Sequence, residues 1–201
     1  HNSGRRQRQM CIRDSYNVNK VVRNDFGAKI YYGGENEFFD YDKVVIATHA
    51  DQALDIIDNP TSDEEEILKN FKYRDNSAVI HFDESIMPKN RKAWCSWNSS
   101  MSKDNIKKTS VTYWLNQLQN LKINRDIFLT INPFRDIPED KIFKKVKFTH
   151  PYYDNAALSN QNNLNKIQNK KNILFCGSYF GYGFHEDGIK SSIDMLKTLN
   201  D

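Results

Sequence analysis

The stretch Asn172–Gly188, NILFCGSYFGYGFHEDG, decides how this sequence is read. Asn172–Cys176 is a short continuous apolar run, the pattern of a strand buried on both faces of a parallel sheet. Glycines at 177, 181 and 183 interrupt it, and helical spacing resumes over Asp187–Leu199. A strand, a glycine-rich turn and a helix start bring backbone close to a ligand. Glycine has no Cβ, and the first turn of a helix offers unbonded N–H groups with a partial positive charge. A negatively charged or electron-accepting group is the natural guest. A structural turn with Asp187 as helix N-cap explains the same residues, and local physics leaves the two open. The glycine spacing is not G-x-G-x-x-G and no Walker lysine follows, so neither the pyrophosphate fingerprint nor a nucleoside triphosphatase is supported.

Working outward, Lys43–Ala47 (KVVIA) is a second buried-strand run, followed by Thr48, His49 and a predicted helix over 50–57 that Pro60 stops. Ser62–Glu65 reads as a capping box that opens a helix to about Phe71. Upstream, β-prone runs at 18–22, 28–32 and 37–41 are separated by Asn24–Gly27 and Gly33–Gly34, which predicts a β-meander. Between about 73 and 153 the style changes. Runs at 77–82, 94–97, 110–114 and 127–131 are rich in aromatic and β-branched residues, with Pro88, Pro133, Pro138 and Pro151 between or beyond them. They predict a second, antiparallel or mixed sheet. Ala156–Gln168 reads as a solvated polar helix. The fold class expected is α/β (α+β).

Composition sets outer limits. A chain of 201 residues is one domain or a little more, and 38% hydrophobic with 12% aromatic residues excludes a disordered tail. A net charge of +3 is too balanced for a nucleic-acid binder. No apolar run approaches the roughly 20 residues of a membrane helix. Cys11, Cys95 and Cys176 are odd in number and form no CxxC, which argues against a disulfide framework or structural zinc and favours a reducing, cytoplasmic setting. Residues 1–15 (HNSGRRQRQMCIRDS) are basic and aperiodic, and are expected to be a non-native or disordered tail rather than a phosphate-binding arm.

Other side chains invite functional readings, each with a plain counterpart. His49, His81, His150 and His185 lack metal-ligand spacing. His185 adjoins the glycine-rich turn and could relay a proton. Trp94, Trp97, Tyr113 and Trp114 could wall an apolar cavity, although core packing explains each more simply. Cys95 and Cys176 are expected to be small buried hydrophobes, and Lys144, Lys145 and Lys147 a solvated face. His81 beside Asp83 hints at a base with an orienting carboxylate.

The motifs GSYFGYGFHEDGIKSS, VVIATHADQAL, SAVIHFDESIMPKNRKAWCSWN, VTYWLNQLQNL, LTINP and FTHPYYD occur in that family's order across nearly all of residues 16–201 in one known group. In them the sequence resembles the amine-oxidase-like FAD-dependent oxidoreductases often described as predicted NAD/FAD-binding proteins. The resemblance implies a Rossmann-like FAD-binding domain assembled from discontinuous pieces, here 16–48 and 172–201, with a sheet-based substrate domain and connecting helices over 49–171. It also implies cofactor contacts. Val18 matches the position whose backbone pairs with adenine, and Thr48 ends a strand close to the dinucleotide. Gly177 and Ser178 match the pair that holds the ribityl chain, with serine replacing the usual acid. Tyr179, His185 and Glu186 belong to the signature turn, and the amides of Asp187 and Gly188 would face the flavin's pyrimidine edge. The family's N-terminal Gly-rich βαβ unit is absent from these residues, so this polypeptide alone is expected to bind FAD weakly and to be inactive.

Three functions follow. The first is the C-terminal part of a flavoprotein oxidoreductase that passes hydride to FAD from a small-molecule substrate, either an amine or an acyl chain. The second is a cofactor-free binding module with an aromatic-lined sheet surface. The third is a nicotinamide or nucleotide enzyme using the turn for phosphate.

Overall fold

The computed structural model describes residues 16–34, 37–102 and 108–199. The expected tail at 1–15, with Cys11, lies outside the described residues. The chain divides into two compact units, the first comprising residues up to Tyr73 and from Pro151 onward, the second Arg74–His150.

In the first unit, β1 (Val18–Arg23), β2 (Ala28–Tyr32) and β3 (Phe38–Tyr41) form an antiparallel meander. Its first turn is closed by Asn24, whose Oδ1 accepts from the Phe26 and Gly27 amides at 2.9 and 2.7 Å. The two apolar runs read from sequence become β4 (Val44–Ile46) and β10 (Ile173–Phe175), paired in parallel with Ile173 opposite Val44 and Phe175 opposite Ile46. Each is followed by helical structure. α1 (Ala50–Ile56) and α2 (Ser62–Leu68) come after β4, and a 3₁₀ turn (Ser178–Phe180) leads from β10 into α5 (His185–Lys197). Ahead of β10, α4 (Asn155–Gln161) gives way to a 3₁₀ turn at Leu164–Ile167.

The core of this unit joins all of these pieces: Val21 and Ala28 from the meander, Ile46 and Phe175 from the parallel pair, Leu68 from α2 and Leu164 from the 3₁₀ turn. Apolar burial at roughly 25 cal/mol per Å² is the term that holds the segments together. Within the stretch 49–171, read from sequence as substrate domain and connecting helices, α1, α2 and α4 spend their apolar faces in this core, so residues up to Tyr73 and from Pro151 belong to the first unit.

In the second unit, β5 (Lys72–His81), β6 (Trp97–Met101), β7 (Thr109–Trp114), β8 (Phe128–Ile131) and β9 (Ile142–Tyr152) make a five-stranded sheet in the order β6-β7-β8-β5-β9. A short helix, α3 (Leu115–Leu118), follows β7. The pairs β6–β7, β7–β8 and β8–β5 are antiparallel.

Several local expectations need correction. The α2 capping box is centred on Thr61, not Ser62, with the Glu64 carboxylate returning to the Thr61 amide at 2.8 Å. The polar helix expected over 156–168 breaks after Gln161. The strand expected at 94–97 begins only at Trp97, because Asn90 caps a 3₁₀ turn over Arg91–Ala93. Cys95 is consequently exposed in the turn before β6, not buried, whereas Cys176 is buried.

Candidate functional site at the ends of the parallel strands

Because β4 and β10 run parallel and in register, their carboxyl ends emerge side by side. The Cys176 amide donates to the Ile46 carbonyl at 3.2 Å. Thr48 and Gly177 therefore meet, and a Cβ on Gly177 would lie 3.6 Å from the Thr48 carbonyl oxygen. The same added atom would press on the Tyr179 ring at 2.7 Å, so this position requires glycine. α5 starts over the same edge, since a Cβ on Gly188 would reach the Ser178 amide nitrogen at 3.9 Å. In open α/β sheets, ligands sit in the crevice outside the carboxyl ends of the strands. Thr48, Gly177, Ser178 and Gly188 are brought together there. Val18 is not among them; it opens β1 on the separate meander, opposite Tyr32.

α5 begins at His185, two residues earlier than read from sequence. Its start is organised by Asp187. One carboxylate oxygen accepts from the amides of Tyr182 and Phe184, each at 2.9 Å, which folds the 181–184 turn onto the helix. A side chain on Gly181 would collide with that carboxylate. The glycine thus makes room for the protein's own cap. The Asp187 and Gly188 amides, expected to face a flavin, instead donate to the Phe184 carbonyl at 3.1 and 3.3 Å. The amides of His185 and Glu186, the first two of α5, are those for which helix geometry provides no acceptor. Both side chains are exposed, as are Tyr182 and Phe184.

Tyr179 is a second correction. Expected at the cofactor, its side chain is 2% exposed, packed on Phe71 and Phe180 at ring separations of 5.3 and 4.9 Å. Burial drives its phenol far above the usual range, and its hydroxyl has no hydrogen-bond partner among the described residues. On the outer side of the turn a cavity of about 390 Å³ runs along Gly181, Tyr182, Asp187 and Lys190 towards Asn162 and Asn165. The stretch is not sealed under neighbouring side chains.

Two further features were missed in sequence. β4 has a neighbour on one edge only among the described residues, and Val45 on it is 43% exposed. α5 is apolar on two sides. Met195 and Ser191 are buried, while Ile189, Ile193 and Leu196 are 57, 53 and 53% exposed on the far side. The i, i+4, i+7 spacing of those three was legible; that the opposite face already supplied the packing was not.

No protein-family model matches this chain, and no curated protein does. Solved structures do. The chain is similar to the CLA-producing fatty acid isomerase from P. acnes (13% identity, TM-score 0.62, 91% of this chain and 47% of that one). It is also similar to putrescine oxidase bound to putrescine (10%, 0.58, 92% and 49%) and to cyclohexylamine oxidase from Brevibacterium oxydans IH-35A (8%, 0.56, 92% and 49%). At such identities the likeness is one of fold. The fold is one that amine oxidases and an isomerase use, and the chain spans about half the length of each of these structures.

In the second unit, strand alternation separates the four aromatic residues read as one wall. Trp94 and Trp114 pack edge-to-face at 5.3 Å, with Trp94 also on Phe128 at 5.6 Å. Trp97 and Tyr113 stack on the other face at 6.1 Å, and Trp97 is 67% exposed. His81 is buried and does not act with the Asp83 carboxylate. Its Nδ1 accepts the Asp83 amide at 3.1 Å and its Nε2 meets Thr130 Oγ1 at 2.8 Å, which assigns a neutral ring with hydrogen on Nε2. Among the described residues, no group of three His, Cys, Asp or Glu side chains could hold a metal ion. None of their helices is long and apolar enough to cross a membrane.

Proposed function

We propose that this chain is the C-terminal part of a flavin-dependent oxidoreductase, and that the carboxyl ends of β4 and β10 form its share of an FAD site. The observation that carries this is the meeting of Thr48, Gly177 and Ser178 with the start of a 13-residue helix at the edge where a parallel sheet binds ligands. The residues fit the group. Gly188 leaves an open approach to the Ser178 backbone, and α5 aims two amides and the positive end of its dipole outward. Thr48, Gly177 and Ser178 would hold the cofactor by backbone contacts, and the amides of His185 and Glu186 would face the electron-poor ring. When bound, FAD supplies the acceptor for a hydride from an amine or acyl-chain substrate. Asp187 keeps the turn shaped, and exposed His185, at the helix start, could exchange a proton there.

The edge of β4 that has no neighbour among the described residues and the exposed faces of Val45, Ile189 and Ile193 support a site completed by a further parallel strand with its helix. Parallel strands are rarely left open on a face. The test is to express residues 16–201 joined to the coding sequence that precedes Tyr16 in its gene, and to read the flavin spectrum. The expected product is yellow, carries stoichiometric FAD and is bleached by substrate without oxygen, while residues 16–201 alone stay colourless after FAD addition and gel filtration. A colourless longer product would overturn the reading and leave the cofactor-free binding module.

A further inference from the structure

The five-stranded sheet of the second unit ends in β6 on one side and β9 on the other, and the two edges are built differently. An exposed edge offers unpaired N–H and C=O groups, and proteins blunt it with lysine, proline or a bulge. β9 carries Lys144, Lys145 and Lys147. β6 reads Trp97-Asn98-Ser99-Ser100-Met101, with no charge and no proline, and β7 is its only sheet neighbour among the described residues. Bonds just beyond its ends fix which backbone groups it leaves free. The Trp114 amide donates to the Ser96 carbonyl at 3.0 Å, and the Ser102 amide to the Lys108 carbonyl at 2.9 Å. Alternate residues bond across an antiparallel pair, so 96, 98, 100 and 102 bond to β7. Trp97, Ser99 and Met101 therefore point their N–H and C=O groups outward. Their side chains are exposed as well, Trp97 by 67% and Met101 by 59%. A cavity of about 520 Å³ lies along β6 and is lined by odd and even residues alike, which places it against the edge and not over one face.

We propose that β6 pairs antiparallel with β6 of a second copy of this chain, about a two-fold axis through Ser99. The strand is self-complementary in that register. Ser99 faces Ser99, Asn98 faces Ser100, and at both ends Trp97 faces Met101, an indole against a thioether. The Trp97–Met101 pairs and the Ser99 pair each exchange two N–H···O bonds, so every outward backbone group of the strand is used. No charged side chain of one strand faces the other. The contact is isologous, and the joined sheet ends on both sides in the lysine-bearing β9, so assembly stops at two chains. A five-residue strand contact falls below the standard interface size, which makes the dimer weak and concentration-dependent. This surface lies wholly within residues 74–150 and is independent of the flavoenzyme reading.

The test uses residues 1–201. Sedimentation should show a monomer at roughly 10 μM that becomes a dimer at about 0.5 mM, with no larger species. Ser99→Lys sets like charges face to face, and Ser99→Pro removes an N–H that β7 does not use. Each should weaken the dimer by about tenfold or more without lowering the melting temperature. Ser99→Cys, combined with Cys11→Ser and Cys95→Ser, puts two thiols on Cα atoms about 5.5 Å apart, within disulfide range. It should cross-link on mild oxidation, whereas Lys145→Cys on the β9 edge in the same background should not. A chain that stays monomeric at about 0.5 mM, a dimer that neither Ser99→Lys nor Ser99→Pro weakens, or equal cross-linking at both edges overturns the proposal. So does a protein extended upstream of Tyr16 in which Ser99→Cys no longer cross-links, since its own added segment would then occupy the edge. None of these readouts depends on bound flavin.

Discussion

Tyr179 shows how one hydroxyl can be carried at a loss. Its ring fills the space beside Phe71, and nothing among the described residues bonds its oxygen. A buried unsatisfied polar group costs about 1–3 kcal/mol. Tyr179→Phe is therefore expected to stabilise the first unit by about 1 kcal/mol in urea unfolding, and a clear loss of stability would reveal an unrecognised partner. At His81 and Asp83 the issue is pH. Burial pushes the His81 ring below its usual value, against an opposing pull from Asp83. For Asp83, burial acts to raise the carboxyl, but hydrogen bonds from Lys141 and Ser85 outweigh it and hold it below the ordinary carboxylate range. Both groups bind fewer protons folded than unfolded, so each contributes stability that is present at higher pH and lost on acidification. The loss due to His81 begins near pH 6.5, and that due to Asp83 near pH 4. Unfolding midpoints measured across pH should flatten in the upper window for His81→Gln and in the lower one for Asp83→Asn.

At the scale of elements, β1 and α2 are tied by charge. Arg23 on β1 pairs with Glu64, whose side chain is fully buried, and Arg23 also donates to the Asn59 carbonyl at 2.9 Å. Removing one partner of a buried pair leaves an uncompensated charge. Arg23→Met is expected to cost about 3–5 kcal/mol, while Arg23→Met with Glu64→Leu should recover most of it, as a double-mutant cycle would show. Element identity was legible where a single period dominated. NILFC reads as a buried strand because both faces of β10 are short of water, KVVIA read alike although Val45 leaves one face of β4 exposed, and the meander was announced by its turn residues. β9 was not legible. Eleven residues long and Lys-rich, it is an edge strand with mostly exposed side chains, and solubility at an edge is secured by the lysines that disguise a strand. The site was half legible. The strand, turn and helix start were read in order, but the geometry within the turn depends on Asp187 folding back, which no spacing rule contains.

At the scale of the molecule, the second apolar face of α5 has a measurable consequence. Ile189, Ile193 and Leu196 contribute little to the stability of this chain as it stands, because they remain largely in water. Ile193→Lys should leave the melting temperature of residues 1–201 within the range of a surface change, about 0.5 kcal/mol. In the longer flavoprotein proposed above, the same substitution should destabilise by about 1.5–3 kcal/mol, the worth of a buried isoleucine side chain. A large loss in the short chain would mean that the face is already covered.

The second unit is entered through β5 and left through β9, which are neighbours in one sheet. Asn76 and His150, near its two ends, touch at 3.0 Å. An insert whose beginning and end meet behaves as a cassette. What lies between Arg74 and His150 can lengthen or shorten while the strands that carry the chain in and out keep the same spacing.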